Sequence, residues 1–334
     1  MSDNAVRTIG IPRSLLFYEY GVLWQRFFEE LGFQVVVSPP TDRAIFERGE
    51  AASVDEVCLA SKTFMGHVAA LAEGDQCDAL FVPSFDNSDI RVGFCTKYQA
   101  LPDLVRATFP QMRPQLVTMR VQKASDKKRM RADYLELARR LGANPRQASR
   151  AYKRALHAQE ASDAARAKAQ QETLALLAKY RKVVASDRTG TEQPPLAILL
   201  VAHPYIAHDP YIAGDIVAAI ERLGATVLFA DEADRTPALK RSFEFSETLP
   251  WMINRHLAGA VLQLHEQVDG IVLLSAFPCG PDSMFDDAIM RNVQGVPILN
   301  LMIDAQSGSA GTETRLESFI DILRFQGKGS YLHD

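Results

Sequence analysis

The chain has 334 residues, of which 47% are hydrophobic, and a formal net charge of −4. This length predicts two domains of about 150 residues each, and the charge gives no electrostatic reason to expect nucleic-acid binding. The apolar runs are too short to cross a bilayer, and the first residues lack the apolar core of a signal peptide. We therefore expect a cytoplasmic protein that contacts neither a membrane nor nucleic acid.

Residues 1–123 are predicted to form an α/β domain. Short apolar strands alternate with segments of helical periodicity: TIGI, then LFYEYGVLWQRFFEEL with Gly32 at its end, then FQVVVSP. A helix is predicted to begin near Thr41 or Asp42, and a further helix after Cys58. Such alternation favours a parallel sheet covered by helices on both faces.

Residues 124–186 differ in composition and are predicted to be a helical bridge. They are rich in Ala, Arg, Lys and Gln, and Asn144 followed by Pro145 is typical of a helix start. We interpret the segment as a helix packed between two domains. A basic nucleic-acid-binding helix is the alternative, but the interspersed Glu and Asp argue against it.

Residues 187–334 repeat the α/β pattern. The segment LAILLVAHPY, with the amphipathic helix and strand that follow it, aligns by eye with the start of the chain. The fold class predicted is therefore α/β, with two flavodoxin/Rossmann-like domains that have parallel sheets and are joined by a long helical segment. Ligands of such sheets bind at the carboxyl ends of the strands. Domains that face each other would bring Cys95 and Cys279 towards one cleft.

Four cysteines are too few for a disulfide framework in a chain of this length. Cys77 begins a strand and is expected to be a packed thiol, whereas Cys58, Cys95 and Cys279 lie in loops close to helices. Three loop thiolates suit zinc or an iron–sulfur cluster. Zinc would take a fourth ligand from a histidine, whereas a three-cysteine [4Fe–4S] cluster would leave one iron open. Spacing alone leaves both alternatives open.

Other residues are candidates for cofactor binding. These are Lys62, His67, His203 and Ser283. Lys62 follows Cys58 by four residues and is able to donate to cluster sulfur, although a solvated helix face explains it equally well. For His203, at a strand end, an ordinary cap is the competing explanation. The sequence contains no GxxxxGK[ST] motif, so we do not expect it to hydrolyse ATP by itself.

Several motifs resemble the superfamily of 2-hydroxyacyl-CoA dehydratases and benzoyl-CoA reductases, in particular its activase-related D-component iron–sulfur proteins. They are IGIPRSLLFYEYG near the start, CLASKTFMGHV, FCTKYQALPDL, FPCGPDS, and SAGTETRLESF near the end. Two features depart from the family pattern. Thr96 replaces a proline that usually follows the second cysteine, and CLAS replaces a more typical CFPV.

The resemblance implies that Cys58, Cys95 and Cys279 bind a [4Fe–4S] cluster, which a dimer would join into a double cubane. It implies a homo- or heterodimer that accepts low-potential electrons from a separate ATP-driven activase and acts on a CoA thioester or another small molecule. Two alternatives remain. The chain would be a non-catalytic metal-binding or maturation partner of an activase, or a zinc protein with three cysteines and a histidine such as His67, His203 or His208.

Overall fold

The computed structural model describes residues 6–86, 93–186, 195–304 and 309–326. Within these ranges the chain forms ten strands and twelve α-helices, and every strand pairing is parallel. The predicted α/β class with parallel sheets is confirmed. None of the helices in the described ranges is long and apolar enough to span a membrane.

The strands are β1 (Thr8–Ile11), β2 (Gln34–Val37), β3 (Ala79–Phe81), β4 (Ser84–Phe85), β5 (Gln115–Val117), β6 (Arg120–Val121), β7 (Leu196–Val201), β8 (Ala225–Phe229), β9 (Gly270–Ala276) and β10 (Ile298–Ile303). The helices are α1 (Phe17–Leu31), α2 (Arg43–Ala51), α3 (Leu59–Glu73), α4 (Thr96–Thr108), α5 (Lys127–Arg140), α6 (Pro145–Ser186), α7 (Pro204–Ala207), α8 (Gly214–Arg222), α9 (Arg235–Phe245), α10 (Met252–Leu264), α11 (Gly280–Asn292) and α12 (Ser309–Phe325).

The chain divides into two compact units. The first comprises Met1–Ser162 and Thr248–Met252, and the second comprises Asp163–Glu247 and Ile253–Asp334. The long helix α6 therefore contributes to both units, with the change at Ser162. Its start matches the sequence prediction, because the Asn144 side chain accepts a hydrogen bond from the Gln147 N–H at 2.9 Å.

The first unit contains a four-stranded sheet in the order β2-β1-β3-β5. Helix α1 covers it with aromatic side chains: Trp24 packs edge-to-face on Phe81 and donates a hydrogen bond from its indole N–H to the Tyr134 hydroxyl. The helix ends at Gly32, whose φ of 95° is left-handed, as the sequence predicts. Asp42 caps α2 by accepting a hydrogen bond from the Ile45 N–H.

Helices α2 and α3 of the first unit lie in unusually close backbone contact. A methyl group on Gly66 would stand 2.0 Å from the Ile45 carbonyl oxygen, and one on Gly49 would stand 2.0 Å from the Lys62 carbonyl oxygen. No side chain fits at either position, so the two glycines set how closely the helices approach. This contact fixes the position of α3, which begins directly after Cys58.

The second unit has a sheet of the order β10-β9-β7-β8. When the four strands of each sheet are numbered 1 to 4 in chain order, both sheets have the order 2-1-3-4. The internal repeat seen in the sequence therefore extends to the topology. Strands β7 and β9 are adjacent, and every residue in them is buried. This explains their unbroken apolar sequences, since both faces of a parallel sheet are covered by helices.

Pro278, Gly280 and Pro281 predict a turn, which is present at Phe277 and Pro278, and Cys279 follows it directly. The helix of 13 residues that begins at Gly280, α11, was not predicted. Proline is tolerated there because the first N–H groups of a helix have no acceptor within the helix. The loop predicted at 185–195 lies, from 187 to 194, outside the described residues.

Candidate functional site

The carboxyl ends of β7 and β9 are the natural ligand-binding edge of the second unit. The chain leaves β7 towards β8 on one side, and β9 lies on the other side, so the connections diverge between these two strands. In open parallel sheets, ligands bind in the crevice that forms at such a switch point. His203 follows β7 by two residues, and Cys279 follows β9 by three.

Three potential ligand side chains meet at this edge. One ring nitrogen of His203, the sulfur of Cys279 and one carboxylate oxygen of Asp282 all lie within 4.8 Å of one another. His203 and Asp282 are buried, whereas Cys279 is half-buried. Both Cys279 and Asp282 are supplied by the start of α11, and His203 immediately precedes α7.

Hydrogen bonds orient the buried pair. His203 Nδ1 lies 3.2 Å from Asp282 Oδ2 and 2.6 Å from the Tyr205 hydroxyl. The Asn254 amide donates to Asp282 Oδ1 at 3.0 Å, and its carbonyl oxygen lies 3.3 Å from His203 Nε2. With a proton on both ring nitrogens, His203 shares its Nδ1–H between the oxygens of Tyr205 and Asp282 and donates its Nε2–H to the Asn254 oxygen.

The electrostatics of the site agree with this arrangement. Burial opposes a charge on His203, but the Asp282 carboxylate and its hydrogen bond outweigh burial and raise the pKa of the imidazole. Burial likewise opposes a charge on Asp282, and His203 more than compensates, which lowers the pKa of that carboxyl. The two side chains form a buried ion pair, each holding the other in its charged state.

A second carboxyl group lies one helical turn further along α11. Burial, followed by repulsion from Asp282, raises the pKa of Asp286 to about 7. Asp286 is 4% exposed. The buried Ser275 hydroxyl of β9 interacts with this carboxyl and partly offsets the rise in its pKa.

The three cysteines predicted to bind a cluster share one local position. Each is the residue directly before a helix of at least 13 residues, Cys58 before α3, Cys95 before α4 and Cys279 before α11, and none makes a side-chain capping bond. A thiolate is stabilised there by the free N–H groups and the helix dipole. Cys58 and Cys95 belong to the first unit and Cys279 to the second.

Cys77 has different surroundings. Its sulfur packs so closely against β1 that a methyl group on Gly10 would stand 2.7 Å from it. Burial, followed by the charge of Asp78, raises the pKa of this thiol to about 11. It is a protonated, packed thiol near neutral pH, which makes it a poor metal ligand.

The other predicted cofactor residues are dispersed. His67 is fully buried, and its Nδ1 and Nε2 lie 2.8 Å from the Ser38 hydroxyl and 2.9 Å from the Thr41 hydroxyl. Burial, followed by the charge of Arg13, lowers its pKa to about 4. Lys62 lies on α3, in the first turn after Cys58. The structure thus places both residues in the first unit.

Of the four cofactor candidates, two lie beside a cysteine of the second unit. His203 faces Cys279 and Asp282, whereas Ser283 is exposed and donates its hydroxyl to the Cys279 carbonyl at 2.9 Å. Sequence reasoning missed Asp282 and Asn254. The Asp282–Asp286 spacing of four would have suggested one helix face, but α11 was not recognised as a helix.

A basic groove lies on the first unit. It encloses about 1150 Å³ between Arg26 of α1 and one face of α6, and the α6 residues that line it include Arg146, Arg150, Lys153, Arg154 and His157. Arg26 and Arg154 both pair with Glu30. Arg146, Arg150 and Lys153 form none of the ion pairs found in the described part of the chain. The groove is therefore positive, although the chain has a net negative charge.

Comparison with known proteins identifies a family. The model of the CoA enzyme activase uncharacterised domain (DUF2229) matches residues 8–232, a range that includes Cys58, Cys95 and His203 and ends before Cys279. No curated protein matches the sequence. The C-terminal domain of glucosamine-fructose-6-phosphate aminotransferase from Francisella tularensis aligns at 10% identity over 96% of this chain and 86% of that chain. Its TM-score of 0.26 supports no inference about fold or function.

Proposed function

This chain belongs to the family of the CoA enzyme activase uncharacterised domain, and from that premise we propose that it is an iron–sulfur protein. It would receive low-potential electrons from a separate ATP-driven activase and use them for reduction or pass them on. The substrate class implied by the resemblance is a CoA thioester.

The observation that carries the proposal is the common position of three cysteines at helix N-termini. Cys58, Cys95 and Cys279 are half-buried and lie at helix N-termini, where a thiolate is favoured, whereas Cys77 does not. This donor set fits a [4Fe–4S] cluster with one iron that lacks a cysteine ligand.

The protein's own contribution would be to hold the thiolates and to shield them. Each cysteine immediately precedes a helix, whose N-terminal dipole would favour the negative charge of a bound cluster. Cys58 also lies 3.2 Å from the Ser61 hydroxyl, a further hydrogen-bond donor to sulfur. When bound, the cluster supplies one-electron transfer at low potential.

Metal analysis of protein made under anaerobic conditions with iron and sulfide tests this proposal. We expect about four iron and four sulfide per chain, with the broad visible absorption of a cluster. Single Cys58→Ser, Cys95→Ser and Cys279→Ser variants should lose most of this iron and sulfide. The matched control Cys77→Ser should retain both. Zinc as the sole metal in the anaerobic protein would reject the proposal.

A second candidate function is a non-catalytic metal-binding or maturation partner of the activase. The basic face of α6 favours it, since Arg146, Arg150 and Lys153 are spaced at one helical face and have the charge to attract an acidic protein surface. Association with an activase without turnover of any acyl-CoA would distinguish this candidate. For the alternative of three cysteines with one histidine on zinc, His203 is favoured over His67 and His208 because its ring nitrogen lies within 4.8 Å of the Cys279 sulfur.

A further inference from the structure

We propose that the second unit binds a single divalent transition-metal ion, with zinc as the reference case, through His203, Cys279 and Asp282. This site uses no residue of the first unit, so it does not depend on the cluster proposal. Both proposals use the Cys279 sulfur, and therefore the ion and the cluster exclude each other at that atom.

The separation of the donor atoms fits one ion. The imidazole nitrogen, the sulfur and the carboxylate oxygen lie within 4.8 Å of one another. Ligands about 2.0 to 2.3 Å from a tetrahedral zinc ion lie roughly 3.5 Å apart. Small rotations of three side chains on fixed helix starts would close the remaining difference.

The types of donor also point to a transition metal. Thiolate, imidazole and carboxylate together suit zinc, cobalt(II) or iron(II), whereas magnesium and calcium require oxygen ligands. Three protein ligands leave a fourth position, which is the pattern of open zinc sites. Cys279 is half-buried, so an ion has a path to the sulfur.

The surrounding residues complete the arrangement. An ion between His203 Nδ1 and Asp282 Oδ2 would replace their direct contact of 3.2 Å and displace the Tyr205 hydroxyl, which lies 2.6 Å from the same nitrogen. The other ring nitrogen would keep its bond to the Asn254 oxygen, and the Asn254 amide would keep its bond to Asp282 Oδ1. Metal-bound imidazoles and carboxylates are commonly held by such outer hydrogen bonds.

Cobalt(II) is the probe, because its absorption reports directly whether a thiolate is bound. Metal-free protein and the Cys58→Ser/Cys95→Ser variant should each bind about one cobalt per chain with a thiolate-to-cobalt band. Cys279→Ser should remove the band and weaken binding at least tenfold, since loss of an outer hydrogen bond alone costs about 10- to 100-fold. Asp282→Asn should weaken binding and keep the band.

Two controls are matched to these variants. His208→Gln removes a second imidazole of this unit that pairs with a carboxylate, at 2.8 Å from Asp231, and Cys77→Ser removes the packed thiol. Both should bind cobalt as the unaltered protein does. Circular dichroism checks folding; if Asp282→Asn fails to fold, the half-buried Cys279→Ser variant decides.

The outcomes separate the two metal proposals. Loss of cobalt in the Cys58→Ser/Cys95→Ser variant, an unchanged thiolate band in Cys279→Ser, or no cobalt binding by the metal-free protein would each overturn this site. Failure of the cluster proposal would instead appear as an absence of iron and sulfide after anaerobic assembly. Zinc added before assembly should reduce cluster loading, whereas magnesium should not.

Discussion

His203 Nδ1 and Asp282 Oδ2 lie 3.2 Å apart, and both side chains are buried at the carboxyl ends of the β7 and β9 strands. Removing one partner of a buried ion pair leaves the other uncompensated, which typically costs about 3–5 kcal/mol. The contact between His203 and Asp282, which are about 80 positions apart in the sequence, therefore stabilises the metal-free second unit.

We predict that His203→Gln destabilises the metal-free protein by about 3 kcal/mol, because the Asp282 charge then retains only uncharged donors, which include Asn254 and Cys279. The double variant His203→Gln/Asp282→Asn should be more stable than His203→Gln, because it buries no charge at the pair. Urea unfolding of the two single variants and the double variant measures the coupling. If the losses of unfolding free energy in the two single variants simply add up in the double variant, the two side chains are not coupled and the ion pair is contradicted.

A pH dependence is expected from His67 in the first unit. Its pKa is lowered to about 4 by burial and by Arg13, while the unfolded value is about 6.5. The folded state therefore favours the neutral ring. The stability that this provides is fully present above pH 6.5 and is lost as the pH falls towards 4, in total roughly 3 kcal/mol.

Urea unfolding at pH 7 and pH 4.5 checks this expectation. His67→Gln is the matched variant, since its amide is neutral at both pH values and can bond to the hydroxyls of Ser38 and Thr41. The difference between wild type and this variant should shrink at the lower pH. If the difference in unfolding free energy between wild type and His67→Gln is the same at both pH values, His67 has the same pKa in the folded and unfolded states.

The features that sequence reasoning predicted correctly are local ones. Gly32 ends α1, Asp42 caps α2, and Asn144 with Pro145 begins α6. Each is decided by bonds within one helical turn. The alternation of apolar strands with amphipathic helices likewise predicted the parallel sheets, because both faces of such sheets must be covered.

The site in the second unit was only partly predictable. His203 and Cys279 were identified because each follows a strand, but Asp282 and Asp286 were not, since Pro278, Gly280 and Pro281 favour turns and hid the start of α11. Asn254 lies on α10 and meets Asp282 through tertiary packing. Nothing in the sequence around Asn254 indicates this contact.

We predict that Gly66→Ala destabilises the first unit by about 1–3 kcal/mol or more, because the new methyl group would meet the Ile45 carbonyl oxygen at 2.0 Å. Gly311→Ala on α12 is the control, since a methyl group there meets nothing within 4 Å. It should stabilise the protein slightly, by about 0.5–1 kcal/mol. Thermal unfolding of both variants measures the contrast.

The same Gly66→Ala substitution should also affect loading of the proposed cluster. Helix α3 begins after Cys58, so a displaced α3 would move this proposed ligand, and iron per chain should fall under anaerobic assembly. Gly311→Ala should leave the iron content unchanged. Full cluster loading in a clearly destabilised Gly66→Ala protein would show that the contact between α2 and α3 does not position Cys58.

The last prediction concerns the basic face of α6. Arg150 and Lys153 line the groove and form none of the ion pairs found in the described ranges, so reversing their charge breaks no bridge within the first unit. Arg150→Glu/Lys153→Glu should slow association with an ATP-driven activase by about tenfold or more at low salt, and by less at high salt. Lys168→Glu, which lies further along α6 and outside the groove, is the control. Surface plasmon resonance at two salt concentrations measures the association rate. If Arg150→Glu/Lys153→Glu associates with the activase as fast as Lys168→Glu does, Arg150 and Lys153 do not form the proposed contact with the activase.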